Sequence, residues 1–371
     1  VLRKKLFFDH LAPSGSGAKA RRLAILGFAA PRDFLVAALS EQESRWLSQC
    51  DQVQARDLME RHRHNLPEWL VAPLKDQLQD GFWPLVESLD VGAALDLRVN
   101  TLKAKRAQVQ AEVSSLGFSC QPTPYSPWGL RLSGKPAVTR LEIFQRGDIE
   151  IQDEGSQLLA LLVDARRGEM VVDFCAGAGG KTLAIGASMR NTGRLYAFDT
   201  SAHRLDAIKP RLARSGLSNV FPAAIAHERD DRVKRLSGKI DRVLVDAPCS
   251  GLGTLRRNPD LKWRHDLKDI EVMAVSQAAI LQSAARLLKP GGRLVYATCS
   301  MLRQENESVA EAFGAANPDF LPQDAALLLA ELGVESPELL CTKSSAGYGY
   351  LRVWPHLHGT DAFFAAIWQR K

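Results

Sequence analysis

The sequence predicts an α/β protein: a mostly parallel seven-stranded sheet covered on both faces, preceded by a small α+β module and a helical N-terminal region. Three observations carry this. After Gly155, short strand-like runs alternate with helical stretches, and the runs are apolar throughout, the mark of strands buried on both faces. Between Ala93 and Gln152 the pattern is instead the polar–apolar alternation of half-buried strands around one helix. Up to about Asn65, the chain offers only helix-like pieces and a Ser-Gly-Ser-Gly break at 14–17.

In order, Phe34–Leu39 and Glu41–Leu58 read as helical, and Pro67–Val71 opens a further helix running toward Leu78. Ala94–Asn100 alternates like a strand, Ala107–Leu116 reads as a helix, and strands follow around Leu130–Leu132 and Ile149–Gln152. The main alternation begins with a strand at Met170–Phe174, a glycine-rich turn and a helix from Lys181. Strands at Arg194–Asp199, Val220–Ala226, Arg242–Asp246 and Arg293–Thr298 continue it, and Gly347–Val353 with Phe363–Ile367 would close it as an antiparallel pair. The expected domains are 1–65, 66–150 and 151–371.

The 371 residues hold ample material for a core, with 46% hydrophobic residues and no low-complexity tract. No run approaches the ~18 apolar residues of a membrane span, and the basic start lacks a signal-peptide core, so a soluble, cytoplasmic protein is expected. The net charge of +6 is uneven. Between Ser201 and His265 there are 14 basic and 7 acidic residues, a stretch suited either to nucleic acid or to plain solvation.

The sharpest segment is Asp173-Phe174-Cys175-Ala176-Gly177-Ala178-Gly179-Gly180-Lys181-Thr182, just beyond the first parallel strand, where open α/β sheets bind ligands. A phosphate-binding P-loop would need glycine at Cys175, and a dinucleotide fingerprint would need it at Thr182. What remains is a glycine turn on which a ligand can lie against the backbone, with Asp199 twenty residues after Gly179 to accept ribose hydroxyls. That combination suits S-adenosylmethionine; the plainer alternative is a packing turn with Asp199 as a helix cap.

Cys249, in Asp246-Ala247-Pro248-Cys249-Ser250, and Cys299, in Thr298-Cys299-Ser300, end the fourth and fifth strands on the same side of the sheet. Most lone cysteines are core residues, and Cys50, Cys120 and Cys341 are read so. No tight pair spacing supports a metal site. Two thiols beside the cofactor turn suit cytosine chemistry. Carbon 5 of cytosine is a poor nucleophile until a thiolate adds at carbon 6, and the charge this creates needs a proton at N3, for which Asp246 is placed. A base must then remove the carbon-5 proton. The residues alone leave open which cysteine attacks.

The strings DFCAGAGGKT, VLVDAPCSGLGTLRRNPDLKW and LVYATCSMLRQENESV, with LRVNTLK at 97–103, resemble the Nol/Nop/Sun family of RNA cytosine-C5 methyltransferases, closest to its bacterial small-subunit ribosomal RNA members. The resemblance runs from about Leu66 to the C-terminus. It implies a Rossmann-like S-adenosylmethionine-dependent methyltransferase domain. By position it implies Cys299 as the attacking thiolate, Cys249 as the group that assists release, and Asp246 as a further catalytic residue. Cys175, Ala176, Gly177, Ala178, Gly179, Gly180, Lys181, Asp199, Arg204 and Asp246 would hold the cofactor. One departure stands out: the acid that family members usually place after the third strand has no clear equivalent in Ala223–Asp230.

RNA contacts are expected from Arg256, Arg257, Lys262 and Arg264 on phosphates, from Trp263 as a stacking platform (or a core residue), and from Asn100 in the RNA-recognition-like module. The target cytosine must be unpaired or flipped out. The expected function is methylation of carbon 5 of a cytosine in RNA, most naturally ribosomal RNA, by a monomer with no metal. The alternatives are the same chemistry on transfer RNA, or an inactive RNA-binding ribosome-assembly factor.

Overall fold

The computed structural model describes residues 1–28 and 31–371, and the chain forms two compact units. The first joins Val1–Gly92 to Leu255–Asp266; the second holds Ala93–Thr254 and Leu267–Lys371.

The first unit is helical. Ser40 caps the helix Glu41–Gln52 in a reciprocal box with Glu43. That helix buries Trp46, Leu47 and Cys50 against Leu11, Ile25 and Leu35. The inserted stretch 255–266 is tied to the N-terminus: the Lys262 ammonium donates to the Arg3 carbonyl at 2.9 Å, and the Trp263 indole donates to the Leu2 carbonyl at 3.2 Å.

The second unit opens with an antiparallel sheet of β1 (Leu95–Val99), β2 (Cys120–Pro122), β3 (Gly129–Leu132) and β4 (Ile149–Ile151), in the order β2-β3-β1-β4. The helix Arg106–Ser115 covers it through Val109 and Val113.

The large sheet follows. Its parallel strands are β5 (Met170–Asp173), β6 (Arg194–Asp199), β7 (Val220–Ala224), β8 (Ile240–Asp246) and β9 (Leu288–Thr298). The remaining strands, all antiparallel, are β10 (Phe320–Gln323), β11 (Cys341–Lys343), β12 (Gly349–Val353) and β13 (Phe363–Arg370). The order is β11-β12-β13-β9-β8-β5-β6-β7, with β10 also on β13. The seven expected strands are all present, and β10 and β11 bring the count to nine. Both additions are edge pieces of three or four residues, and β10 contains Pro322, so neither carries a periodic signal.

Two apolar clusters flank this sheet, one led by Leu158, Ile185, Leu195 and Leu244, the other by Phe174, Val243, Tyr296 and Trp368. Parallel order makes β5, β6, β8 and β9 all end at one rim, and there Asp173, Asp199, Asp246 and Thr298 hand over to the loops that form the site.

Candidate active site

The turn after β5 is shaped by glycine. Gly177 and Gly179 have φ of 54° and 83°, a region that penalises any side chain, and a Cβ on Gly179 would approach Ile208 to 2.9 Å. At Gly177 a Cβ would meet nothing within 4 Å, so the backbone there borders open space. Asp199 fixes the turn: its Oδ2 accepts from the Gly177 N–H at 2.8 Å, while Oδ1 accepts from the Ser201 N–H at 2.7 Å. Beneath it Asp173 is fully buried, with one oxygen bonded to the Thr182 hydroxyl at 2.7 Å and the other without a partner. Burial pushes the Asp173 carboxyl up to about 7, with Thr182 opposing.

This turn borders a cleft of about 710 Å³, also lined by Lys181, Asp199, Arg204, Asp246, Cys249 and Cys299. Every expected cofactor residue except Gly179 is on its wall. Lys181 Nζ lies 2.7 Å from Asp246 Oδ2. Burial works against the ammonium, but Asp246 more than compensates, and the Lys181 pKa rises. Beyond β7 the cleft is walled by Ile225, Ala226, His227 and Glu228, so Glu228 puts a carboxylate in the region where the family acid had no clear match. Asp230 is instead occupied as a cap, accepting from the N–H groups of Ala226 and Arg232.

The two thiols meet: Cys249 Sγ and Cys299 Sγ are 3.4 Å apart. The contact with Cys299, then burial, pushes the Cys249 thiol well above the ordinary range. Burial likewise pushes up Cys175 in the glycine turn.

What holds the thiol loops together is a residue passed over in the sequence. Glu305 is completely buried. Its Oε1 accepts from the Ser250 N–H at 2.8 Å and the Gln277 amide at 3.1 Å; its Oε2 accepts from the hydroxyls of Ser250, at 2.6 Å, and Ser300. Ser250 follows Cys249 and Ser300 follows Cys299, so one carboxylate staples both loops. The only signal was an acid lying between Thr-Cys-Ser and the next helix. Gly253 adds a second clasp: its N–H donates to the Cys299 carbonyl at 2.8 Å, and a Cβ there would collide with the Ala362 carbonyl at 2.2 Å.

The residues expected to meet RNA divide. Arg256, Arg257, Lys262, Trp263 and Arg264 belong to the first unit. Arg256 and Lys262 are buried, and burial brings the Lys262 pKa down to about 8. Arg257 and Arg264 are exposed, with Arg264 2.6 Å from Asp260. Trp263 is half-buried, with the Lys5 and Lys262 ammoniums each 5.4 Å from its ring centre. Asn100, in the second unit, is buried and gives its amide to the carbonyls of Gly147 and Ser215. Among the described residues, no group of three or more His, Cys, Asp or Glu is arranged to hold a metal ion, and no helix is long and apolar enough to cross a membrane.

Residues 160–369 match the family model of the 16S rRNA methyltransferase RsmB/F, and residues 66–139 match the ferredoxin-like domain of RsmF/B-like methyltransferases. The chain belongs to the RsmB/F family. Its relatives include the probable ribosomal RNA small subunit methyltransferase B of Bacillus subtilis, 35% identical over 275 residues, or 74% of this chain and 59% of that protein. The Synechocystis protein of the same name is 34% identical over 82% of this chain and 66% of its own length. The chain thus spans about three-fifths to two-thirds of these relatives. The crystal structure of PH0851 superposes with a TM-score of 0.82 at 28% identity, covering 100% of this chain and 88% of that one. The family expected from the three strings is therefore confirmed, and with it the α/β fold of this RsmB/F domain.

Proposed function

We propose that this RsmB/F-family chain transfers a methyl group from S-adenosylmethionine to carbon 5 of an unpaired cytosine in ribosomal RNA. The observation that carries the reading is the pair of thiols 3.4 Å apart on the wall of the cleft that the glycine turn also lines. Methyl transfer to an oxygen or a nitrogen, which attack the sulfonium methyl directly, needs no thiol at all.

The residues present fit the cofactor. The open backbone at Gly177, the Asp199 carboxylate and the Glu228 carboxylate suit, in turn, its methionine end, ribose and adenine. When bound, S-adenosylmethionine supplies an electrophilic methyl group on a sulfonium sulfur.

Cys299, as thiolate, adds to carbon 6 of the cytosine. Lys181 and Asp246, in contact at 2.7 Å, hold between them the proton that balances the charge arising at N3. Carbon 5, now part of an enamine, can accept the methyl group. The resemblance favours Cys299 as the attacking partner, and Cys249, with its Sγ 3.4 Å away, is placed to assist elimination. A water in the cleft takes the carbon-5 proton, the electrons of that C–H bond restore the 5,6 double bond, and the carbon-6–sulfur bond breaks to return Cys299 as thiolate. Arg257 and Arg264 follow the Cys249 loop in sequence and, being exposed, can meet phosphates.

The test is incubation with labelled S-adenosylmethionine and unmodified small-subunit ribosomal RNA, followed by bisulfite sequencing. One 5-methylcytidine should appear with the wild-type chain. Cys249→Ala should accumulate a covalent protein–RNA adduct on a denaturing gel, and Cys299→Ala should form none. RNA without 5-methylcytidine would overturn the reading; an adduct in Cys299→Ala instead would reverse the two thiols.

A further inference from the structure

A second cleft in the same unit, of about 490 Å³, borders the RNA-recognition-like module but is lined by none of the residues assigned above. Its wall carries Lys103, Lys105, Arg106, Arg190 and Trp128, and no acidic side chain. These cations are held in a particular way. Arg190 donates to the Thr101 carbonyl at 3.0 Å, Arg106 to the Ser126 carbonyl at 3.1 Å, and Lys103 to the carbonyls of Arg146 and Arg214 at 2.6 and 2.7 Å. Neutral carbonyls fix the side chains without cancelling their charge, and Lys105 stands exposed beside them. The contrast with Arg211 and Arg214, both spent on the Glu150 carboxylate, is direct. Trp128 is half-buried: part of it packs on the core of the large sheet, while the remainder borders the cleft.

We propose that this cleft is a second RNA site, which takes one unpaired nucleotide of the substrate strand at a distance from the target base. Lys105, Arg106 and Arg190 would receive phosphate oxygens, and Trp128 a base face. Four uncancelled charges beside an aromatic surface are what a single strand needs, phosphates for the cations and a π-face for the ring. The proposal rests on the reading of RNA as substrate and adds where a second part of it is held.

The fold gives the spacing. Lys181 lies at the start of the helix Gly180–Ser188 and lines the first cleft; Arg190, just past its end, lines the second. Nine residues at the helical rise separate them by ~13 Å along the axis, on the order of four nucleotides at stacked spacing.

The test is binding of a fluorescein-labelled, unpaired 20-nucleotide RNA, followed by anisotropy across a salt series. In a folded K105Q/R190Q double variant, affinity should fall about tenfold at 0.1 M salt. The slope of log K against log salt should flatten by about 1.4, the loss of two phosphate contacts on a single strand. Lys105→Gln alone, on an exposed side chain, should flatten it by about 0.7 and serves if the double variant fails to fold. Unchanged affinity and slope in folded variants would overturn the proposal. So would poly-glutamate of matching charge binding as tightly as RNA with the same losses, which would give the cleft to an acidic protein. The assay needs no methyl transfer. A chain that binds RNA through these residues but makes no 5-methylcytidine would therefore refute the proposed function and leave this site standing.

Discussion

The glycine half of the candidate active-site cleft and its thiol half lie at the ends of neighbouring strands of one sheet, yet they are held by different means. After β5 and β6 the shape is set by backbone: two residues at positive φ, one close approach to Ile208, and N–H groups delivered to Asp199. After β8 and β9 it is set by side chains converging on one buried carboxylate, Glu305. A backbone-built site fails through sterics at a single residue. A site built on a shared acceptor fails in several places at once, because each abandoned donor is buried.

The largest effect is expected from Glu305. Glu305→Ala strands the Ser250 N–H and leaves the Ser250 and Ser300 hydroxyls only each other to donate to, and the Gln277 amide only the Pro248 carbonyl. It should cost about 3–5 kcal/mol, with a melting temperature lower by roughly 10 °C. Glu305→Gln keeps the shape and one acceptor oxygen; it should retain most of the stability but lower kcat for methyl transfer about tenfold, with S-adenosylmethionine affinity unchanged. Calorimetric binding alongside turnover checks this. A matching loss of cofactor affinity would show that the two halves are not separable.

Gly179→Ala should give the opposite pattern. The φ of 83° and the 2.9 Å approach to Ile208 should cost about 1–3 kcal/mol and weaken S-adenosylmethionine roughly tenfold. The Cys249–Cys299 contact should survive, seen as unaltered adduct trapping when the change is combined with Cys249→Ala. Loss of trapping at saturating cofactor would break the distinction.

The same difference decides what could be read from the sequence. The glycine half is legible because a backbone-built site must be written in glycine at fixed places, and Gly177, Gly179 and Asp199 can be counted along the chain. The thiols are legible from their chemistry and their strand ends. Glu305 is not: a buried acid looks like any other until the loops it joins are folded. Charge counting is coarse for a related reason. It sums formal charges and cannot see that Arg211 and Arg214 are spent on Glu150, or Arg242 on Asp164 and Glu169. Nor can it see that the stretch from Ser201 to His265 is shared between two compact units. The uncancelled cations of Lys105 and Arg190 are 85 residues apart and draw no notice until the fold brings them to one wall. β10 and β11 escape because three or four residues, one a proline, are too few to show a period.

The smallest expected effect separates the cysteines of the two halves. Cys249 and Cys175 both hold their protons beyond the ordinary thiol range, for different reasons. At Cys249 the largest cause is the neighbouring Cys299 sulfur, with burial second; at Cys175 it is burial, followed by the carboxylates of Asp246, Asp173 and Asp199. Cys299→Ala removes the first cause and leaves the second untouched. The Cys249 pKa should then fall, raising its thiolate fraction at any pH below that value, and alkylation by N-ethylmaleimide at pH 8 should quicken severalfold. Cys175 should react at the wild-type rate in the same sample, as measured by peptide mass spectrometry, and the gain at Cys249 should shrink as the pH is raised and both forms ionise. If Cys175 also quickens, the substitution has opened the cleft as a whole, and the contrast between a backbone-built half and a side-chain-built half fails at the thiols.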